Sequence, residues 1–299
     1  MSLIWLGYIF AIISSIFSAI YVVPKKFSKQ KPNTYAMIMG VGYFITSSIG
    51  FILLTALGYI DEPLFFPEAI IACIKGIVWT VGSVSVLNAI DRIGLAKSNQ
   101  WKSLQGPIGA LLMLTILSEF LTTNIPFILL AIVFITLAAM MISTREKDDS
   151  PTDKVGIAYA LNAALFYGIS ALLGKYLTDQ GILFSQQLYK SIFIIISASA
   201  YTLIKYKKIK IDSENIKKEI SLPLVGGLLY FGNATFSILA YSLIEGSIAF
   251  MMHQLNAIWL FLLGVFLFKE IDFKKYKSRL VIGLVFSIIG VAMLVMARI

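Results

Sequence analysis

Ten stretches of about twenty residues, nearly free of charge, succeed one another through this chain of 299 residues. An α-helix rises ~1.5 Å per residue, so about 20 apolar residues cross the ~30 Å hydrocarbon layer of a bilayer. The spans read as roughly 3–23, 34–57, 68–90, 96–118, 124–143, 154–174, 184–204, 221–243, 246–268 and 279–297. Segments 35–59, 120–144 and 220–244 contain no charged residue at all. Helices satisfy their own backbone polar groups in lipid, whereas an open sheet edge cannot. With 58% hydrophobic and 14% charged residues, the chain carries more apolar surface than one globular core can hide. The expected fold class is therefore an all-α integral membrane protein with ten transmembrane helices. The first span is followed by Pro24, Lys25 and Lys26 rather than by a small-residue cleavage site, and is expected to be a retained helix.

The net charge of +9 does not point to nucleic acid, because the basic residues lie between hydrophobic spans. One cysteine, Cys73, and one histidine allow neither an internal disulfide nor an ordinary zinc site, so no metal or cofactor is expected. Of the 25 lysines and arginines, twenty fall in the odd-numbered connections, and only Lys175 and Arg298 fall in the even ones or at the termini. Basic residues near short loops stay on the cytoplasmic face, which puts both termini outside the cell membrane. The first connection of the first half is basic, while its counterpart near Lys175 is not. An odd number of spans per half produces such an inversion. Setting Gly7 against Gly156 aligns Ala11 with Ala160, Phe17 with Phe166 and Lys26 with Lys175. Setting Glu119 against Glu270 aligns Ala89 with Ala240, Leu104 with Leu255 and Gln105 with Asn256. The chain thus reads as two inverted five-helix repeats, 1–144 and 154–299, joined by a polar cytoplasmic linker, 145–153.

Polar groups inside a membrane are costly unless they meet a partner or water, so their clustering marks a cavity. They gather in the fourth and ninth spans. Lys102 and Gln105 are three apart, as are His253 and Asn256, so each pair shares one helical face and the repeat alignment superposes the pairs. Gln105 and Asn256 are expected near the midplane, with one basic group on either side. Asn88, Asn162, Tyr167 and Tyr241 join them as substrate-binding candidates, and Trp259, deep in its span, offers a ring for stacking. Asn233, Ser14 and Ser18 lie on the same interface. Each of these polar groups also has an alternative reading as an interhelical hydrogen bond. Pro107 cannot donate its backbone bond, which frees the carbonyl of Ser103 for a kink or for relief by a neighbouring Ser or Thr. Lys75 and Lys190 read as snorkelling or paired side chains rather than substrate contacts. No carboxylate sits mid-span, and should protons drive the protein, His253 is the residue with a suitable ordinary pKa.

Together these features resemble the drug/metabolite transporter superfamily, with ten spans in two inverted repeats, a polar fourth helix closing in Glu119 or Glu270, and a last helix with spaced glycines, Gly283 and Gly290. Segment 97–109, KSNQWKSLQGPIG, looks like that of the glucose/ribose porter branch, which imports sugars. The resemblance implies a substrate cavity formed by the first, third and fourth helices of each repeat. One departure is that Ile258 stands where the second-half proline is usual, which puts symmetric kinking in doubt. The expected function is secondary transport of a small polar metabolite, a sugar taken up by alternating access around a midplane site. Export or exchange of amino acids or phosphorylated metabolites is the alternative, and a non-transporting sensor or scaffold is the reading from another class. An enzyme is not expected, because the spans offer no nucleophile with a base, carboxylate pair or metal set. The partners are a small-molecule substrate and membrane lipid, with proton coupling as an open option. Oligomeric state is not legible.

Overall fold

The computed structural model describes residues 2–142, 153–208, 211, 215–268 and 273–298; linker residues 145–152 and Glu270 lie outside them. It contains α1 (Ser2–Ile20), α2 (Val23–Phe27), α3 (Pro32–Ala56), α4 (Ala69–Lys102), α5 (Gln105–Ile116), α6 (Ile125–Ile142), α7 (Lys154–Asp179), α8 (Ser185–Tyr206), α9 (Ile216–Tyr241), α10 (Gly246–His253), α11 (Asn256–Leu262) and α12 (Phe273–Met296). Among the described residues, nine helical runs are long and apolar enough to cross a bilayer. The tenth crossing is a broken one, made by residues 95–102 at the end of α4 and by α5. The sequence predicts a short loop between the third and fourth spans. The structure confines that loop to Gly94, whose φ of 76° and ψ of 165° suit glycine alone.

The outer surface explains why lipid is required. In α6, Ile128, Ala131 and Ile135 are buried while Leu129, Leu130 and Val133 are exposed, so the helix is apolar on every side. Its inner face meets α12 at Gly283 and Gly290, where an added Cβ would lie 2.5 Å from Ile142 and 2.5 Å from Ile135 respectively. The spaced glycines of the last helix thus permit close packing against the fifth span.

Helix pairing follows the inverted repeat. Helix α1 packs on α9 as α7 packs on α4, and α3 packs on α9 as α8 packs on α4. Helix α5 lies against α7 as α10 and α11 lie against α1. The remaining large pairings, α3 with α8, α5 with α10 and α6 with α12, each join a helix to its own counterpart. A two-fold relation between the halves is what makes these large contacts recur with the partners exchanged.

One charged latch sits at the start of the second half. Asp153 caps α7 by accepting from Val155 N at 2.9 Å and Gly156 N at 3.3 Å, while Arg92 donates to its other oxygen at 2.9 Å. That guanidinium holds the Asp153 carboxyl below the usual carboxylate range. A depressed folded pKa stabilises above the unfolded value of about 3.9, and the benefit disappears as pH falls through the folded value. Asp153→Asn keeps a good cap but loses the ion pair, so its melting temperature should fall slightly below that of the unaltered protein at neutral pH. The gap should close near pH 3 or below in a detergent unfolding series.

Candidate functional site

The two polar spans break at the same place. Helix α4 ends at Lys102 and α5 begins at Gln105; α10 ends at His253 and α11 begins at Asn256, the repeat-equivalent positions. In the first break Leu104 N donates three residues back to Trp101 O at 3.3 Å, and Gly106 N donates to Ser103 O at 3.2 Å. The carbonyl freed by Pro107 is therefore satisfied by its own chain, not by a neighbouring hydroxyl. In the second break Leu255 N reaches Met252 O at 3.0 Å and Ala257 N reaches Gln254 O at 3.2 Å. Both breaks form although only one has a proline, so the missing proline at Ile258 does not prevent symmetry. Tightening to a 3₁₀-type turn supplies the break in both cases.

The breaks lie against each other. A Cβ on Gly106 would stand 2.5 Å from Gln254 Cγ, which leaves glycine as the residue that lets the crossing close. Gln105 Nε2 donates to Gln254 Oε1 at 3.3 Å across the interface. The sequence aligns Gln105 with Asn256 as repeat equivalents; in the structure Gln105 bonds Gln254, two residues before Asn256, while Asn256 Nδ2 donates to Ser18 Oγ at 3.0 Å.

Beside the crossing lies a cavity of about 90 Å³, lined from both halves of the chain. It has room for several waters, each needing roughly 10–15 Å³ by this measure. Five of the predicted residues line it: Lys102, Gln105, Tyr167, Tyr241 and His253. The other four turn elsewhere. Asn88 Nδ2 donates to Val84 O on its own helix at 2.6 Å, and Asn162 Nδ2 donates to Ser85 Oγ at 2.8 Å. Trp259 Nε1 donates to Ser15 Oγ at 2.9 Å, and Asn256 holds Ser18, which itself lines the cavity. His253 Nδ1 shares a 3.0 Å hydrogen bond with Ser14 Oγ, which also contacts Ser237 Oγ at 2.6 Å and Asn233 Oδ1 at 3.0 Å. Serines of α1 thus bind polar groups of α9, α10 and α11 along one seam.

A smaller cavity of about 40 Å³ continues toward the basic loops, past Asn99 and Lys25. Ser18, Tyr21, Lys102 and Tyr167 line both and form the partition between them. Aromatic side chains gather beside this partition. Trp79 and Tyr230 meet at a tilt with 4.7 Å between centroids, and Tyr21 meets Tyr230 edge-on at 5.1 Å. Sequence reasoning left Tyr21 and Tyr230 out of the site and left Trp79 divided between a ligand contact and an interhelical bond. One signal was available, since the offset that pairs Glu119 with Glu270 also sets Trp79 against Tyr230.

The lysines of the third and seventh spans also enter the cavity. Lys75 Nζ donates to Gln186 Oε1 at 2.6 Å, and Lys190 Nζ donates to the Tyr230 hydroxyl at 2.5 Å. The sequence reads both as snorkelling or paired; they are paired, with neutral oxygens, and they line the cavity. Neither reaches for the membrane surface, because each is buried to about 95%.

Over residues 9–297 the sequence matches the family described as Sugar transport protein. It is 22% identical over 246 residues to the "Probable glucose uptake protein GlcU" of Priestia megaterium, covering 79% of this chain and 82% of that one. A crystal structure whose description states no function superposes with a TM-score of 0.70 at 12% identity, covering 98% of this chain and 96% of the other, and shows that the fold is shared.

Proposed function

The chain belongs to the Sugar transport protein family and is a secondary transporter of a small polar solute, and from that premise we propose that the solute is a sugar taken up across the cell membrane by alternating access. The observation that carries this reading is the cavity at the crossing of two broken helices, lined from both halves by amides, hydroxyls and aromatic rings. Ring hydroxyls of a sugar need donors and acceptors such as Gln105, Asn233 and Tyr241, and its C–H face suits Trp79 or Tyr230. Half-helix ends at a repeat interface are where transporters of inverted architecture hold their solutes. In this reading repeats 1–144 and 154–299 move against each other, and Ser18, Tyr21, Lys102 and Tyr167 form the barrier on the basic side. The excess of lysine and arginine in the odd loops supports a cytoplasmic basic face and termini outside. His253, held by Ser14, is the group on which a proton gradient would act.

Purified protein in proteoliposomes should show saturable flux of a radiolabelled sugar from a hexose and pentose panel, run with and without a pH gradient. Gln105→Ala removes the side-chain bridge between the breaks and a cavity donor, and should lower that flux at least tenfold with the protein still monodisperse. Flux equal to that of the unaltered protein would take Gln105 out of the site. Binding of a panel member without any flux would favour the sensor reading.

A further inference from the structure

Three of the 25 basic residues, Lys75, Lys102 and Lys190, lie well inside the spans rather than at their ends or in loops, and all three line the larger cavity. None of its described lining residues is acidic. From this we infer that the transported solute is anionic, a hydroxylated metabolite bearing a phosphate ester or carboxylate that the three ammonium groups receive. The inference rests on the cavity being the transport site and narrows the class of solute that site takes.

The partners of the lysines point the same way. Lys175 is also buried, but it is neutralised by Asp179 at 2.6 Å and held by Tyr241 O at 3.0 Å, which is what a structural lysine looks like in this protein. The three cavity lysines differ. Lys75 has the amide oxygen of Gln186, whose own Nε2 is occupied by Ile182 O and by Thr178 Oγ1 at 3.3 Å, so that Oε1 is turned toward the lysine. Lys190 has a phenol and the faces of Tyr230 at 4.8 Å and Trp79 at 5.5 Å. Lys102 has no hydrogen bond or ion pair among the described residues and only the ring of Tyr167 at 5.9 Å. An ammonium offers three donors, so most of this donor capacity is unused.

Lys75 and Lys190 stand on helices that pack together at Gly76, and all three ammonium groups face the same cavity as His253. Positive charge inside a membrane protein is costly without a counter-charge. The nearby carboxylates do not provide it. Glu119 accepts from Gly246 N and Ser247 N, and Glu62 accepts from Phe184 N and Ser185 N, each at a helix start outside the cavity. An oxyanion entering the cavity would meet unused N–H donors and cancel their charge, which a neutral sugar cannot do.

Glucose, glucose 6-phosphate and gluconate at equal ionic strength test the inference, with binding to the purified full-length protein measured by calorimetry and flux measured in proteoliposomes. At least one of the two anions should bind at least tenfold more tightly than glucose. The ratio of anion to glucose affinity should collapse tenfold or more in K102Q and in K190Q, and return in part in K102R. Glucose 6-phosphate preferred over gluconate assigns a phosphate ester; the reverse assigns a carboxylate. Equal binding of all three compounds, binding of glucose alone, no binding of any to folded protein, or an anion preference that survives in K75Q, K102Q and K190Q would overturn it. The two readings fail separately: glucose flux without anion preference sinks the anion inference and keeps transport, whereas lysine-dependent anion binding without flux keeps the anion site and sinks transport.

Discussion

Gly227→Leu is expected to leave no folded protein to assay. At this position α9 touches the backbone of α3: an added Cβ would stand 2.2 Å from Met39 O and 2.5 Å from Tyr43 N. The fit is reciprocal, since a Cβ on Gly42 would lie 2.4 Å from Leu224 O. Flexible side chains can yield to such an intrusion, but two helix backbones can separate only by moving whole helices. Ordinary overpacking costs about 1–3 kcal/mol, and a backbone collision of this depth should exceed that. Against a total stability of about 5–15 kcal/mol, the leucine variant should lose its monodisperse elution peak in detergent. Gly227→Ala should fold with a clearly lower melting temperature. A leucine variant with unaltered elution and melting would mean that α3 and α9 do not approach so closely. The consequence reaches the cavity, because α3 and α9 carry Tyr43 and Tyr230, whose rings meet at 5.0 Å beside Lys190.

Glu119→Ala should be the next most damaging change. Its two carboxylate oxygens accept from Gly246 N at 2.7 Å and Ser247 N at 2.8 Å, so one buried side chain caps the start of α10. A carboxylate also suits the positive end of a helix dipole. Truncation leaves two buried N–H groups without partners, at a cost of roughly 1–3 kcal/mol each. The melting temperature in detergent should drop by several degrees, and Glu119→Gln, which keeps one acceptor, should fall between. Equal melting of all three proteins would show that water replaces the carboxylate at no cost. Because α10 ends at the helix break, a loosened start should also lower flux in vesicles more than it lowers the amount of folded protein.

Much of this architecture is legible without coordinates. Crossing number, the inverted relation of the halves and the pairing of the fourth and ninth spans follow from length and charge. The aligned pairs Lys102 with His253 and Gln105 with Asn256 do fall at matching sides of matching breaks. The individual contacts were less legible. Asn88 and Asn162 read as substrate-binding candidates; Asn162 instead makes the interhelical bond that was its alternative, to Ser85 Oγ, while Asn88 bonds Val84 O on its own helix, which neither reading expected. The break at Gln254 has no proline to announce it.

A bilayer acts on a chain through length, apolarity and the side on which basic loops remain, and these are properties of consecutive residues. The sequence alone therefore determined that ten helices cross, that two halves oppose each other, and which helices carry polar groups. Rotation of each helix about its axis was decided only in the folded bundle. Lipid and protein interior are equally apolar, so the apolar residues of a span do not reveal which side turns inward. Lys75 and Lys190 could have reached for the surface or for the centre by sequence alone. Packing α4 and α8 against each other at Gly76, where a Cβ would lie 2.6 Å from Lys190 O, turns both toward the cavity and brings them to Lys102.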